Sequence, residues 1–455
     1  MRKIKSFYNL NALTTFTSLL LSVTGIAFSA TNATTGLKDA AAKAYLNIGV
    51  ATDRPSSYSS IVTPEYNILV CENAMKWDAT EKTQGTFSFG TGDGVLSFAT
   101  TNGMKMRGHC CVWHSQTPSW VQSLNRQDML TAMKNHITGV LTHYKGKILE
   151  WDVVNEAVSA GSSSFWQKTI GTGFIDSAFI YAHQADPGAY LYYNDYGGES
   201  TGGKGDQIYN MVKTMLQNKI PIHGVGLQCH FGSVNKATIS ANIKRLGDLG
   251  LRVSCTEIDI QNTSTNGTPW TDLMNACLEN FNATTFVVWG VDDAVSWRGS
   301  NCGCTIFDGS QKAKPAVYDA LMTALNGADP TIAEKRKTFA GLTPSAILEG
   351  KGKPAALNAI YKATSRFAFK NNVVAYFLPS EQNLRIQVMD LRGKMAADLN
   401  LGMQTSGNHS VQWTHGQLPA GLYFAKIKTV DQSRVIPFTI LDRAAAYNSG
   451  DLPTK

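Results

Sequence analysis

The sequence predicts a (β/α)8 TIM barrel, an α/β fold, followed by a small all-β sandwich. Eight short apolar or β-branched segments recur between residues 44 and 293, with longer helix-like segments between them. Most of these segments end in polar or aromatic residues, as expected where barrel strands open onto the face that carries active sites. After residue 364 the pattern changes to short alternating strands separated by turn residues, which is typical of a β-sandwich.

The composition is that of a globular protein and its charge is unevenly distributed. The chain has 455 residues, 43% of them hydrophobic, and a formal net charge of +7. Such a basic balance raises the question of a nucleic-acid partner. Residues 1–30 contribute +3 and residues 331–455 contribute +8, which leaves −4 for residues 31–330. We therefore expect no nucleic acid to bind the barrel.

Residues 1–30 are predicted to be a signal peptide. Three basic residues among the first five precede a weakly apolar stretch at 13–28, and Ala27 and Ser29 suit a signal-peptidase site. The stretch is too short and too interrupted by Ser and Thr for a membrane span, which needs about 20 apolar residues. We therefore expect an exported protein without a transmembrane segment, secreted or associated with the cell surface.

The eight predicted strands lie within residues 31–326. Eight strand–helix units over about 290 residues favour a closed barrel over a doubly wound sheet. Helix-like segments include 126–144 and 205–219. The predicted strands are 44–51, 67–73, 105–113, 148–157, 189–195, 222–230, 251–260 and 284–293.

Two carboxylates lie at the ends of strands on opposite sides of the predicted barrel. Glu156, in WDVVNEA, ends the fourth strand, and Glu257, in TEID, lies near the end of the seventh. Retaining hydrolysis of a glycosidic bond needs one carboxylic acid that protonates the leaving oxygen and one ionised carboxylate that attacks the anomeric carbon. A single glutamate at a strand end is more often a solvated loop residue. A catalytic role for this pair therefore depends on the residues around the two glutamates.

The neighbours of the two glutamates are those that a sugar site needs. Asn155 is placed to hydrogen-bond a sugar 2-hydroxyl group. Gln228 and His230 alternate on one strand and therefore point to the same side. His230 and Asp259 are expected to orient the glutamates and tune their charge. Three tryptophans at strand ends offer flat faces for stacking on sugar rings: Trp113, Trp289 and Trp297.

Seven motifs, in order along residues 40–326, resemble those of glycoside hydrolase family 10 xylanases. They are ENAMKW (72–77), GHCCVWHSQTPSW (108–120), WDVVNEA (151–157), YYNDY (192–196), IHGVGLQCH (222–230), TEIDI (256–260) and VVWGVDDAVSWRG (287–299). The resemblance implies a retaining endo-1,4-β-xylanase that cleaves internal bonds of xylan through a covalent glycosyl-enzyme intermediate. Its implied binding partners are xylan and xylo-oligosaccharides.

The resemblance also implies a role for each site residue. Glu156 is expected to be the acid/base and Glu257 the nucleophile, supported by Asn155, His230 and Asp259. The expected substrate-binding residues are Glu72, Asn73, Lys76, His109, Trp113, Gln228, Trp289 and Trp297. We expect no metal or cofactor, and a monomer.

Two alternative functions stay open at this point. One is a related barrel β-glycanase that acts on glucan, and the other is a xylan-binding protein with little or no catalysis. The intact pair of Glu156 and Glu257 argues against the second alternative.

The cysteines depart from the family pattern in one loop. Cys302 and Cys304 follow Trp297 where the family has small and apolar residues, and the sequence leaves open whether they form a disulfide. Cys277 matches one partner of a disulfide that is frequent in the family. The segment FNATTFVVWG, which leads into the eighth strand, contains no cysteine to pair with it, so we expect that bridge to be absent.

The C-terminal part is predicted to contain a linker at 327–364, a β-sandwich at 365–442 and a tail at 443–455. The motifs LRIQVMDLRGKM (384–395) and LPAGLYFAKIKT (418–429) resemble the sorting domains of type IX secretion substrates in Bacteroidetes-like bacteria. The resemblance implies a bacterial protein recognised by secretion or cell-surface machinery. A carbohydrate-binding module is the alternative, disfavoured because Trp413 is the only tryptophan in this region.

Overall fold

The computed structural model describes residues 36–349 and most of the C-terminal domain. In that domain it describes 366–370, 373–378, 382–405, 407–412, 419, 421–428 and 433–440. The predicted signal peptide at 1–30 and the predicted tail at 443–455 lie outside the described residues. Across the described ranges, no helix has the length and apolar character needed to cross a membrane.

Eight parallel strands form the predicted closed barrel. The strands, with one short extension, are β1 (Asn47–Ala51), β2 (Ile68–Val70), β3 (Lys105–Val112), β4 (Glu150–Asn155), β5 (Tyr190–Asp195), β6 (Gly224–Leu227), β7 (His230–Phe231), β8 (Arg252–Ile260) and β9 (Ala283–Val288). Pairing of β6 with β8 closes the ring, and the two-residue β7 extends its edge beside β8. All eight predicted strands are therefore confirmed.

Helices cover the outside of the barrel. They are α1 (Leu37–Lys43), α2 (Ser59–Glu65), α3 (Trp77–Thr80), α4 (Gly90–Thr101), α5 (Ser119–Gln122), α6 (Arg126–His143), α7 (Ala157–Ala160), α8 (Phe165–Ile170), α9 (Phe174–Ala185), α10 (Gly203–Gln217), α11 (Lys236–Asp248), α12 (Thr268–Leu278) and α13 (Pro315–Asn326). Short 3-10 helices occupy Pro55–Tyr58, Gly161–Ser163 and Asp293–Val295. With helices outside and side chains inside, the parallel strands are buried on both faces.

The longest of these helices shows why the sequence folds in this way. The side chain of Asn125 accepts hydrogen bonds from two backbone amides of the first turn of α6 and so caps its N-terminus. Met133, Ile137 and Leu141 recur every four residues and are fully buried. One face of α6 therefore packs in the apolar core around the barrel.

The structure differs from the sequence prediction at the start of the predicted linker. Helices α14 (Pro330–Ala340) and α15 (Pro344–Leu348) occupy residues that composition had assigned to a linker. Arg336, in α14, is fully buried, and its guanidinium group donates hydrogen bonds of 2.6–3.1 Å to five backbone carbonyl oxygens. Those carbonyls belong to Ala44, Cys277, Leu278, Asn280 and Ala283. Residues up to Leu348 thus belong to the barrel body, and the rest of the predicted linker, 350–364, lies outside the described residues.

The C-terminal domain contains two antiparallel sheets, as predicted. Its strands are β10 (Arg366–Lys370), β11 (Val373–Leu378), β12 (Gln382–Met389), β13 (Met395–Gln404), β14 (Gly407–Gln412), β15 (Gly421–Lys428) and β16 (Ser433–Ile440). The sheet orders are β10-β11-β14 and β13-β12-β15-β16. Val374 from the first sheet packs with Ile386, Val388 and Ile427 from the second in one apolar core. This is the architecture of a small β-sandwich.

Replacing Arg336 with Met should destabilise the barrel by about 3 kcal/mol, because it leaves buried carbonyl oxygens without their charged donor. The free energy of unfolding in denaturant measures this loss. Lys337→Met is the matched control on the same helix, since that lysine is exposed and its contacts with Glu334 and with the Tyr45 ring lie at the surface. Equal stability of the two variants would contradict a structural role for α14.

Candidate active site

A cavity of about 520 Å³ opens where the barrel strands end, and it collects almost every residue predicted from the sequence. Twelve of the thirteen predicted residues line it: Glu72, Asn73, Lys76, His109, Trp113, Asn155, Glu156, Gln228, His230, Glu257, Trp289 and Trp297. The thirteenth, Asp259, is fully buried and contacts three side chains of the cavity. The structure therefore brings all thirteen residues together.

Glu257 is a buried carboxylate whose charge is stabilised by its neighbours. Asn194 donates a hydrogen bond of 2.7 Å to its Oε1, His230 Nε2 lies 3.3 Å from its Oε2, and His109 Nδ1 lies 3.9 Å from its Oε1. Burial by itself raises the pKa of Glu257. The charges of His109 and His230 and the hydrogen bonds from His230 and Asn194 outweigh burial and lower that pKa to about 2. The carboxylate is ionised at neutral pH.

Asp259 holds His230 in its charged form beside Glu257. One oxygen of Asp259 lies 2.7 Å from His230 Nδ1 and accepts a 2.8 Å hydrogen bond from Trp297; the other accepts one of 2.6 Å from Arg298. Burial lowers the pKa of His230, but the hydrogen bonds and charges of Asp259 and Glu257 raise it to about 9. His230 therefore donates hydrogen bonds from both ring nitrogens at neutral pH.

A second set of buried charges supports Glu257 from inside the barrel. His109 Nδ1 lies 3.0 Å from an oxygen of Asp152. Arg107 forms ion pairs with Asp152 and, at 2.9 Å, with Glu150. The side chains of Arg107, Glu150 and Asp152 are fully buried, so each depends on its partners for compensation. The contact with Asp152, itself held by Arg107, fixes the position of the His109 ring.

Glu156 is held in different surroundings from Glu257. Its Oε1 accepts hydrogen bonds from Gln228 at 3.0 Å and Asn155 at 3.4 Å, and its Oε2 accepts one from Trp113 at 2.8 Å. These donors are neutral. The backbone of Glu156 is left-handed, with φ 57° and ψ 31°, a conformation that non-glycine residues adopt rarely. The two carboxyl groups therefore differ in electrostatic environment.

Amide side chains connect the two glutamates. Asn155 Oδ1 accepts hydrogen bonds from Asn194 at 2.9 Å and from Gln228 at 3.2 Å. Gln228 also donates to Glu156, and Asn194 also donates to Glu257. A shift of one carboxylate would thus disturb the hydrogen bonds of the other.

Polar and aromatic side chains form the walls of the cavity. Lys76 Nζ donates to Asn73 at 2.9 Å and lies 5.0 Å from the centre of the Trp113 ring. Burial and the nearby Asp53 carboxylate raise the pKa of Glu72. Trp297 is 57% exposed, so a broad aromatic face remains open to a ligand.

Three residues of the cavity were not predicted from the sequence. Gln116 accepts a 2.7 Å hydrogen bond from Lys76, Arg298 binds Asp259, and Tyr196 is half exposed at the cavity. Each lies within a motif already quoted for the family resemblance. The motifs therefore contained the signal, but the contacts that single out these side chains are formed only in space.

The cysteine predictions are resolved by the structure. A disulfide joins Cys302 and Cys304, which the sequence had left open. Cys277 is a buried free thiol whose Sγ lies 3.5 Å from that of Cys255. Within the described part of the chain, no group of three or more His, Cys, Asp or Glu side chains is arranged to hold a metal ion.

Comparisons with known proteins point to one family. Residues 36–324 match the model of glycosyl hydrolase family 10. An endo-1,4-beta-xylanase from Agaricus bisporus is 36% identical over 295 residues, covering 59% of this chain and 88% of the relative. Endo-1,4-beta-xylanase B of Neocallimastix patriciarum is 36% identical over 314 residues, covering 65% of this chain and 36% of that longer relative. The chain thus spans about a third of the length of that protein.

A solved structure gives the same result. Xylanase 10B from Thermotoga petrophila in complex with xylobiose superposes with a TM-score of 0.61 at 32% identity. The match covers 64% of this chain and 97% of the solved chain. The shared part is therefore the barrel.

Replacing His230 with Asn should raise the pKa of Glu257 from about 2. The variant loses a positive charge and a hydrogen bond that favour the ionised form, while burial continues to favour the protonated form. The stability that ionised Glu257 contributes is present above its ordinary value of 4.5 and lost as pH falls towards 2. In the variant the folded-state pKa of Glu257 lies closer to 4.5, so less stability is lost over this range and the loss is complete at a higher pH. A carbon-13 NMR titration of labelled glutamate carboxyls measures the shift.

The control for this titration is His143→Asn. His143 pairs with Asp93 on the outer helices, so the Glu257 titration should stay unchanged in that variant. An unchanged Glu257 titration in His230→Asn would show that the histidine is not a source of the lowered pKa.

Proposed function

The chain belongs to glycosyl hydrolase family 10, and from that premise we propose that it is a retaining endo-1,4-β-xylanase that cleaves internal β-1,4-xylosidic bonds of xylan. The observation that carries the proposal is the contrast between its two carboxyl groups. Glu257 is ionised beside the charged His230, whereas Glu156 is held by neutral donors. An attacking carboxylate and a proton-donating carboxylic acid need this difference.

In the first proposed step, a Glu257 oxygen attacks the anomeric carbon of the sugar bound in the cavity. The bond from that carbon to the glycosidic oxygen breaks, and Glu156 transfers its proton to this leaving oxygen. The product that stays bound is a covalent ester between the sugar and Glu257. Asn155, next to Glu156 and bonded to Asn194, is placed to bind the 2-hydroxyl group of the same sugar.

In the second proposed step, Glu156 removes a proton from a water molecule. The water oxygen attacks the anomeric carbon from the side that the leaving sugar vacated, and the bond to Glu257 breaks. Glu257 returns to its ionised form and Glu156 to its protonated form. Two inversions at the same carbon leave the β configuration of the product unchanged.

Xylan is the proposed substrate rather than glucan. Support comes from the family membership and from relatives and solved structures that are named as xylanases. The lining residues offer amide, carboxylate and ammonium groups for sugar hydroxyls and tryptophan faces for the rings, including Asn73, Lys76 and Trp289. A glucan-specific relative would turn over aryl glucosides faster than aryl xylosides, and this comparison separates the two substrates.

For the C-terminal sandwich we propose a role in export or surface attachment. Support comes from the two motifs that resemble type IX sorting domains and from the separate antiparallel core of this domain. The proposed localisation of the enzyme is therefore secreted or on the cell surface of a bacterium.

Glu257→Ala should lower xylan hydrolysis by about 10⁴-fold or more, since no other group replaces the attacking carboxylate. Reducing-sugar release from xylan measures this loss. Glu279→Ala is the control, because that exposed glutamate lies far from the cavity on an outer helix turn and pairs with Lys236. Full activity of Glu257→Ala would overturn the proposal, and an inactive parent chain that still binds xylan would establish a binding protein.

The first product released by the enzyme should have the β configuration. Proton NMR during the first minutes of xylohexaose hydrolysis distinguishes the β from the α anomer before they interconvert. Initial accumulation of the α anomer would point to an inverting enzyme, in which Glu257 would act on water instead of on the sugar.

A chain that ends at residue 349 should keep its xylanase activity but lose surface delivery. The experiment expresses this chain and the full chain in a bacterium that has a type IX secretion system, and measures xylanase activity outside the cells. The full chain in a strain without that system is the control. Equal delivery of both chains would argue against a sorting role for the sandwich.

A further inference from the structure

One buried carboxylate ties the turn that follows Glu156 to strand β5. Asp195, the last residue of β5, is fully buried. It accepts hydrogen bonds from the backbone amide of Ser159 at 3.2 Å, from the Ser159 hydroxyl, from Tyr193 at 2.6 Å and from the amide of Tyr196 at 2.9 Å. Ser159 belongs to α7, which begins directly after Glu156. Asp195 therefore anchors the chain three residues from Glu156.

Lys204 compensates the charge of Asp195 and contacts the same segments. Its Nζ lies 2.9 Å from Asp195, and its side chain is only 19% exposed. It also donates hydrogen bonds to the Ser159 hydroxyl and to the Tyr196 carbonyl oxygen. The ammonium group lies 3.9 Å from the centre of the Tyr196 ring, within the range of a cation–π contact. A single side chain thus joins the turn after Glu156 to a ring of the cavity wall.

Loss of this cation would leave Asp195 as a buried, unpaired charge. Such a carboxylate attracts water or takes up a proton, and either change weakens its hold on Ser159. The Ser159 contacts, together with the 2.7 Å hydrogen bond from the Val158 amide to the Tyr193 hydroxyl, tie α7 to β5. Since α7 begins at the residue after the left-handed Glu156, a shift of α7 would move Glu156. The effect would reach the Glu156 carboxyl although Lys204 does not line the cavity.

We infer that Lys204 and Asp195 are positioning residues, whose ion pair holds the turn after Glu156 so that its carboxyl group meets the leaving oxygen. The inference rests on the proposed function and adds to it the groups that aim the proton donor. Misplacement of a reacting group by about 1 Å can lower a rate by about 100-fold.

The test is Lys204→Met, assayed on two aryl β-xylobiosides that differ in leaving group. Phenol is a poor leaving group that needs a proton from Glu156, whereas 2,4-dinitrophenolate leaves without one. We expect kcat/KM of the variant to fall by about 10- to 100-fold on the phenyl substrate and by less than about twofold on the dinitrophenyl substrate. A general loss of structure would lower both values equally.

Three further variants sharpen the test. Lys204→Arg keeps the charge and should recover most of the phenyl activity. Lys213→Met is the matched control on the same helix, because Lys213 is exposed and lies near a tyrosine ring outside the cavity. Ser159→Ala removes one link without removing the buried charge pair, and it should reproduce the leaving-group dependence if Lys204→Met does not fold.

The outcomes separate the inference from the proposed function. An active parent enzyme whose Lys204→Met and Ser159→Ala variants lose both activities in parallel, or lose neither, would overturn the positioning role alone. A parent chain inactive on both xylobiosides and on xylan would overturn the proposed function, and this inference with it.

Discussion

The site depends on one constraint, an ionised carboxylate buried at the mouth of the barrel. Glu257 is only 6% exposed, so protein groups rather than water must stabilise its charge. His230 and His109 approach it from two sides, and each histidine is held in turn by a buried carboxylate, Asp259 or Asp152. Arg107, inside the barrel, is the partner of Asp152, and Trp297 and Arg298, in the loop after β9, are partners of Asp259.

The barrel makes such an arrangement possible because its strands hold the side chains of the site in fixed positions. Asn155, Asn194, Gln228 and Glu257 come from four successive regions of one closed sheet. The amide groups of the first three span the distance between the two glutamates. Closure of the ring leaves no free edge along which these strands could slide. Arg336 adds a further restraint at the other end of the barrel, where it collects carbonyl oxygens from three segments.

The two domains divide the physical tasks of the chain. The barrel segment 31–330 has a net charge of −4, and its binding cavity suits neutral sugar hydroxyl groups through hydrogen bonds and aromatic faces. The segment 331–455 carries +8, which is spread over α14 and α15 of the barrel body and the residues after them, and the sandwich within it has an apolar core of its own. The basic character of the whole chain therefore comes from residues 1–30 and 331–455 and not from the part of the barrel that carries the cavity.

The sequence by itself was enough to predict the eight strands and the thirteen residues that the structure brings together, because strand periodicity and short motifs can be read within local segments of the chain. Only the tertiary structure decided how those residues are held. Asn194, Lys204 and Arg336 are ordinary polar residues along the chain, and Arg336 meets Ala44 across 292 residues. Their roles come from burial, which removes water and leaves each charge or amide to the partner that the fold places beside it. Burial, and contacts between residues hundreds of positions apart, arise only when the chain folds, so a local sequence pattern does not reveal them.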